Sequence, residues 1–97
     1  MRVILEHEAE QEMLAAAEYY NEQQNGLGAN FLDEVDDATD AIGRAPLRHG
    51  FYGRPIRSIA LKRFPYRLLF AVETDRVVVV AVMHLHRRSG YWKHRLS

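Results

Sequence analysis

The chain has 97 residues, of which 47% are apolar and 27% charged, so it reads as one folded domain spanning residues 1–97. It contains no cysteine, which excludes a disulfide framework and a thiolate zinc site. The net charge is zero, but residues 1–45 hold eleven acids and two bases, whereas residues 46–97 hold eleven bases and two acids. Either the two halves solvate one another, or the basic half faces an anionic partner.

The N-terminal apolar run is too short for a signal peptide. The longest apolar stretch, residues 77–83, is too short to span a bilayer. We therefore expect a soluble cytoplasmic protein that has no membrane partner.

The acidic half predicts a strand followed by two helices. A short strand is expected over residues 2–6, and strong helix formers fill residues 9–24. Asn25 and Gly26 end this helix, and a second helix begins between residues 27 and 30 and runs to about residue 44. The short link predicts an antiparallel helical hairpin. Apolar residues recur at helical spacing on both helices, at Ala9, Met13, Ala16 and Tyr20 and then at Phe31, Val35, Ala38 and Ile42.

The basic half predicts a loop over residues 47–55 and then three strands. The strands cover residues 57–63, 66–73 and 77–85, and the last two are joined by a polar turn at residues 73–76. The third strand is apolar on both faces, which favours an interior position. The tail, residues 91–97, is expected to form one helical turn. The order β-α-α-β-β-β predicts an α+β fold in which an N-terminal strand and the helical hairpin precede a three-stranded antiparallel meander. We expect the hairpin to cover one face of the sheet and the other face to be only partly covered, so that it can serve as a functional surface.

Two histidines lie near the end of the last strand. His84 and His86 are two residues apart, so both point to one face of an extended strand. A metal site is not expected, because no third ligand is evident and the surroundings are cationic. The pair is suited to general acid–base catalysis or to phosphate contact. The alternative is that His84 is a hydrogen-bonded residue at the end of the strand.

Four arginines are expected to converge if the last three strands are neighbours: Arg63, Arg67, Arg87 and Arg88. Guanidinium groups match phosphate oxygens, so such a cluster favours nucleic-acid contact. Ordinary surface charge is the alternative. Trp92 either stacks on a base or anchors a partner, or it packs back on the sheet as a core or lid residue. The sequence contains no P-loop and no Gly-x-Ser-x-Gly element, and no cofactor is expected.

Taken in order, several segments resemble the RelE/ParE-type toxins, also called plasmid-stabilisation proteins. The first is Tyr19-Tyr20-Asn21-Glu22-Gln23-Gln24, followed by Gly26-Leu27-Gly28 and Phe31, then Ile42 and Pro46. Phe64-Pro65-Tyr66-Arg67 leads into an apolar strand, and the terminal pattern is His84, Arg87 and Trp92. The resemblance covers nearly the whole chain. One departure is Ser89, which stands where many members have a proline.

The resemblance implies the toxin of a type II toxin–antitoxin pair, with a cognate antitoxin as partner. RelE-like members cleave messenger RNA on the ribosome, and in that case Arg67, His84 and Arg87 are the expected catalytic residues. ParE-like members inhibit DNA gyrase by binding. The Gly-Leu-Gly hairpin and the tryptophan are more ParE-like, so gyrase inhibition is preferred. Its expected target-binding residues are Arg63, Arg87, Arg88, Tyr91 and Trp92. A non-toxic member that only binds its antitoxin is the third alternative.

Overall fold

The computed structural model describes residues 1–96, and the last residue of the predicted helical turn, Ser97, lies outside them. The strands are β1 (Arg2–Leu5), β2 (Arg57–Ala60), β3 (Tyr66–Val72) and β4 (Arg76–His84), and the α-helices are α1 (His7–Gln23) and α2 (Leu27–Arg44). Two short 3-10 helices follow α2 and end the described tail, at Pro46–Arg48 and Lys93–Leu96. No helix within residues 1–96 is long and apolar enough to cross a membrane.

The four strands form one mixed sheet in the order β1-β4-β3-β2. Strands β2, β3 and β4 make the predicted antiparallel meander, and β1 lies parallel to β4. Strand β4 is therefore interior, and its seven central residues are all buried. The predicted α+β architecture and the interior position of the last strand are confirmed.

Two predicted boundaries shift by two residues or more, and several others shift by one. Helix α1 begins at His7, two residues earlier than expected. Strand β2 ends at Ala60 instead of continuing to residue 63. The cause is local: the backbone N–H groups of Lys62 and Arg63 donate to the Glu34 carboxylate of α2, at 2.9 and 3.1 Å, instead of pairing with β3.

The helical hairpin packs on one face of the sheet through the predicted apolar positions. All four positions predicted on α2 are buried, and Ala9 and Ala16 of α1 are buried with them. Met13 and Tyr20 pack against the same core while staying partly exposed. The turn between the helices uses Gly26, whose φ of 91° lies in the left-handed region that glycine adopts readily.

A β-bulge in β4 decides which side chains reach each face. Leu69 pairs with Ala81, but its neighbour Phe70 pairs with Val79, so Val80 is the extra residue. Such a residue shifts the in–out alternation of the strand beyond it. As a result His84 lies opposite Tyr66, whose side chain packs with the helix-side core.

The second face of the sheet is covered more fully than the sequence suggested. Its buried centre includes Leu69, Val78 and Val80, and Ile56 and Trp92 pack over them. Ile56 comes from the loop before β2, and Trp92 comes from the tail that follows β4. The partly exposed working face that the sequence predicted is therefore reduced to the rim around these two side chains.

Candidate functional site

The C-terminal tail is fastened to α1 by one carboxylate. Tyr91 donates its hydroxyl to Glu12 Oε2 at 2.6 Å, and Arg95 Nη1 donates to Glu12 Oε1 at 2.8 Å. A second guanidinium nitrogen, Arg95 Nη2, lies 3.2 Å from Oε2. This two-pronged geometry is the strong form of an arginine–carboxylate pair. Residues about eighty positions apart in the chain are thus held together.

Glu12 and Arg95 also form hydrogen bonds with the backbone of β4 where that strand has no neighbouring strand to pair with. Strand β1 ends beside Val79, whose carbonyl accepts the N–H of Glu6 at 3.0 Å. Within residues 1–96, no strand pairs with this side of β4 beyond that point. Glu12 accepts the N–H of Val82 at 3.1 Å, and Arg95 donates to the carbonyl of Val80 at 3.0 Å. Buried backbone groups need such partners. The sequence analysis missed Glu12 and Arg95 because neither residue belongs to a recognisable local sequence motif.

Arg87 is stacked on the tail tyrosine. Its guanidinium carbon lies 3.9 Å from the centroid of the Tyr91 ring, and that of Arg95 lies 5.1 Å away. Burial and the hydrogen bond to Glu12 raise the pKa of Tyr91, and the two arginines only partly oppose this. Tyr91 therefore stays a neutral hydrogen-bond donor that holds Arg87 in place.

His84 and His86 lie together at the end of β4, as expected. Their ring centroids are 5.0 Å apart, and the N–H of His86 donates to His84 Nδ1 at 3.0 Å. Because Nδ1 accepts this bond, a neutral His84 ring carries its proton on Nε2. His84 also contacts the Tyr66 ring edge-on, at 5.0 Å between centroids. The pair lies beside a shallow cleft of about 280 Å³ that Glu12, Tyr66, His84 and Arg87 help to line.

The cleft is lined by one histidine, His84, and one arginine, Arg87, and Tyr66 is not an activated base. Burial raises the pKa of Tyr66, which therefore keeps its proton at neutral pH. Within residues 1–96 no group of three acidic or histidine side chains is placed to hold a metal ion.

Arg67 lies on the opposite face of the sheet from this cleft. Its partner across the ladder is Met83, which packs on the second face, and its Nε donates to Ser58 Oγ at 3.1 Å. Neighbouring residues of a strand point to opposite faces, so Arg67 and Tyr66 diverge. The structure therefore brings His84 and Arg87 to one cleft and leaves Arg67 outside it.

Arg63 is also separate. Its Nε donates to Glu34 Oε2 at 2.7 Å, although 69% of the side chain is exposed. Burial alone would raise the pKa of Glu34, but hydrogen bonds from the Arg63 side chain and from the backbone of Arg63 and Lys62 lower it. This ion pair fixes the end of β2 against α2.

The five predicted target-binding residues therefore differ in availability. Arg87 and Arg88 are exposed, and Tyr91 is half-buried. Trp92 is only 3% exposed and packs in the second core, and within residues 1–96 its indole nitrogen meets no hydrogen-bond partner. In this conformation Trp92 packs the tail against the sheet, and Arg63, Arg87 and Arg88 are the exposed residues among the five.

Comparison with known proteins fits this architecture. The sequence model of the family described as ParE toxin of type II toxin-antitoxin system, parDE, matches residues 3–89. No curated protein matches the sequence. A solved structure described as the chromosomal ParDE TA system from P. aeruginosa is similar in fold, with a TM-score of 0.78 at 11% identity, over 89% of this chain and 97% of that one. Because the family match spans most of the sequence, the chain belongs to the ParE toxin family of type II toxin–antitoxin systems.

Proposed function

We propose that this toxin acts in the cytoplasm by binding and inhibiting DNA gyrase, with Arg87, Arg88 and Tyr91 as the centre of the contact. The observation that carries the proposal is the division of the arginines between the two faces of the sheet. Arg67 lies on the face opposite His84, so the three residues expected of a ribonuclease do not share one site. A binding surface needs no such convergence.

Contacts within the tail hold its arginines in place, and we call Arg87, Arg88 and Tyr91 the Arg87 platform. Glu12 holds Tyr91, and Tyr91 supports the Arg87 guanidinium at 3.9 Å. Arginine and tyrosine are the residue types that dominate binding energy at protein interfaces, and an ordered side chain loses less entropy on binding. The exposed Leu85 adds apolar area beside this platform.

A ribosome-dependent ribonuclease is the second candidate. It is favoured by the cleft that joins His84 to Arg87, because one group exchanges protons near neutrality and the other stabilises a charged phosphate. The cleft lacks the second arginine that the sequence suggested. A non-toxic member that only binds its antitoxin is the remaining alternative.

Membership of a toxin–antitoxin family implies an antitoxin partner. We propose that this antitoxin presents acidic side chains to the basic half of the chain. The part of that half nearest the tail supports this, because Arg87 and Arg88 are exposed and form no ion pair with a carboxylate of residues 1–96. Co-purification with the product of the adjoining gene tests this partner.

Growth inhibition separates the two toxic mechanisms. We expect that expression of Arg87→Ala leaves growth unaffected, whereas His84→Ala remains toxic. Arg2→Ala, an exposed arginine beside the start of β4 and therefore at the opposite end of that strand from Arg87, is the matched control and should remain toxic. Loss of toxicity in His84→Ala, with antitoxin binding and thermal unfolding unchanged, would favour the ribonuclease.

A further inference from the structure

The connection from α2 to β2 opens a stretch of chain that is rich in bases. Residues 41–72 contain seven lysines and arginines and no acid. Part of this stretch folds back as a compact loop: Tyr52 N donates to the carbonyl of Ile56 at 2.7 Å, and Ser58 N donates to that of Gly50 at 3.0 Å. Backbone bonds at both ends fix the loop, so its side chains are presented in a defined arrangement.

Arginines and aromatic rings alternate on this loop and on the neighbouring strand. The guanidinium carbons of Arg54 and Arg57 lie 4.2 and 4.0 Å from the centroid of Phe51, and that of Arg67 lies 5.9 Å from the centroid of Tyr52. The two aromatic side chains are 42% and 40% exposed. Phe51 and Arg57 lie on the helix side of the β2 edge, because Arg57 is opposite the core residue Phe70. Tyr52 and Arg67 lie on the second face. The five residues therefore wrap around the β2 edge of the sheet, and we call them the arginine–aromatic surface.

The arginines of this surface are positioned, but their charge is not neutralised. Arg57 Nη1 donates to the carbonyl of His49 at 2.7 Å, and Arg67 Nε donates to Ser58 Oγ. Within residues 1–96 none of the three guanidiniums forms an ion pair with a carboxylate. The remaining N–H groups are therefore available for an anion, and their planar geometry suits phosphate oxygens.

A cavity adjoins the same surface. It has a volume of about 270 Å³ and lies between the loop and the tail, where it is lined by Tyr52, Gly53, Ser89, Gly90, Trp92 and Lys93. Tyr52 offers an aromatic wall, and Lys93 adds a further positive charge at the rim. The cavity thus combines room for a flat ring with one aromatic wall and one cation in its lining.

We propose that the arginine–aromatic surface binds single-stranded nucleic acid, with phosphates on Arg54 and Arg67 and a base against Tyr52. Single-strand sites combine a basic track with exposed aromatic rings, because every base has a face that can stack. An acidic peptide would use the arginines but has no need of the rings or the flat cavity. The inference does not depend on gyrase, since it concerns residues outside the Arg87 platform.

The test is fluorescence anisotropy of a labelled oligothymidylate of about twelve nucleotides, titrated with the purified chain at several salt concentrations. Phosphate contacts at Arg54 and Arg67 predict a log–log salt slope of about −1.4, at about −0.7 per contact. Arg54→Ala should remove about 0.7 from that slope, while Arg2→Ala, on the opposite edge strand, should not. Tyr52→Ala should weaken binding at least roughly fivefold, whereas Tyr52→Phe should keep it.

Three outcomes overturn the proposal. One is an equal effect of Arg54→Ala and Arg2→Ala on the salt slope. Another is equal weakening of binding by Tyr52→Ala and Tyr52→Phe, because Phe keeps the ring and the result would show that no base stacks on it. The third is competition by polyglutamate as effective as that by unlabelled oligonucleotide, which would make this a surface for acidic proteins. If Tyr52→Ala lowers the thermal unfolding midpoint, the salt slope of Arg54→Ala, which alters an exposed side chain, is the deciding measurement.

Discussion

At the scale of single residues, the carboxylate of Glu12 connects more elements of the fold than any predicted site residue. Glu12 accepts hydrogen bonds from Tyr91, Arg95 and the backbone of Val82, so it joins α1, β4 and the tail. Nothing in the sequence separates it from the other ten acids of the first half, because its partners are seventy or more residues away. His84 and Arg87, in contrast, lie in one short segment, and their proximity was predictable.

We predict that Glu12→Ala lowers the free energy of unfolding by about 3 kcal/mol, since it removes the closer and more buried of the two carboxylates beside the buried Arg95 guanidinium and leaves the exposed Glu8. Glu12→Gln should cost less because its carbonyl can still accept the N–H of Val82. Glu18→Ala, an exposed position on the same helix, should change stability by less than about 0.5 kcal/mol. Urea unfolding measures all three, and equal stability of Glu12→Ala and Glu18→Ala would contradict the anchoring role.

Tyr91 should make stability sensitive to alkaline pH. Its pKa in the folded chain is raised by burial and by Glu12, so the unfolded chain loses this proton first as the pH rises through about 10. The contribution of Tyr91 is complete below that pH and declines above it. Tyr91→Phe should therefore lose less stability than the parent between about pH 9 and about pH 11. Identical losses in chemical denaturation would show that the phenol titrates normally.

Trp92 belongs to the core of the second face, and its substitution should act through stability. Removal of a buried tryptophan side chain costs about 3–5 kcal/mol, so Trp92→Ala should unfold well before the parent on heating. Arg87→Ala, which alters an exposed side chain, should leave the midpoint nearly unchanged. A Trp92→Ala chain as stable as the parent would instead assign the indole to partner binding.

At the scale of elements, the helices were easier to predict than the strands. The apolar spacing on α2 gave four buried positions without error, because a helical stripe depends only on residues within the same segment. Strand β2 is shorter than its alternation suggested, since Glu34 of α2 captures the N–H groups that would have continued it. The bulge at Val80 was equally hidden, because an unbroken run of valines carries no mark of where the register shifts.

The close packing of the two helices rests on Gly28. A Cβ atom at this position would overlap the carbonyl oxygen of Ala17 in α1. Gly28→Ala should therefore force the helices apart and cost about 1–3 kcal/mol. Gly50→Ala is the matched control, because a Cβ there meets nothing within 4 Å. Thermal unfolding compares them, and equal midpoints would contradict a tight helix contact at Gly28.

At the scale of the whole molecule, the charge asymmetry is only partly neutralised within the fold. Part of it is internal, since acids of α1 and α2 neutralise Arg95 and Arg63. Apart from Arg76, the other arginines of the basic half form no ion pair within residues 1–96, and they lie mainly on the Arg87 platform and on the loop before β2. Composition predicted the polarity of the molecule, but only the topology shows which arginines remain available to a partner.

The central claim is that toxicity works by binding through the Arg87 platform, and a gyrase supercoiling assay with purified components tests it most directly. We predict that the parent chain and His84→Ala inhibit supercoiling, and that Arg87→Ala loses roughly tenfold or more in potency, as expected for an interface anchor. The contrary result is full supercoiling activity in the presence of the parent chain, together with ribosome-dependent cleavage of messenger RNA that His84→Ala abolishes.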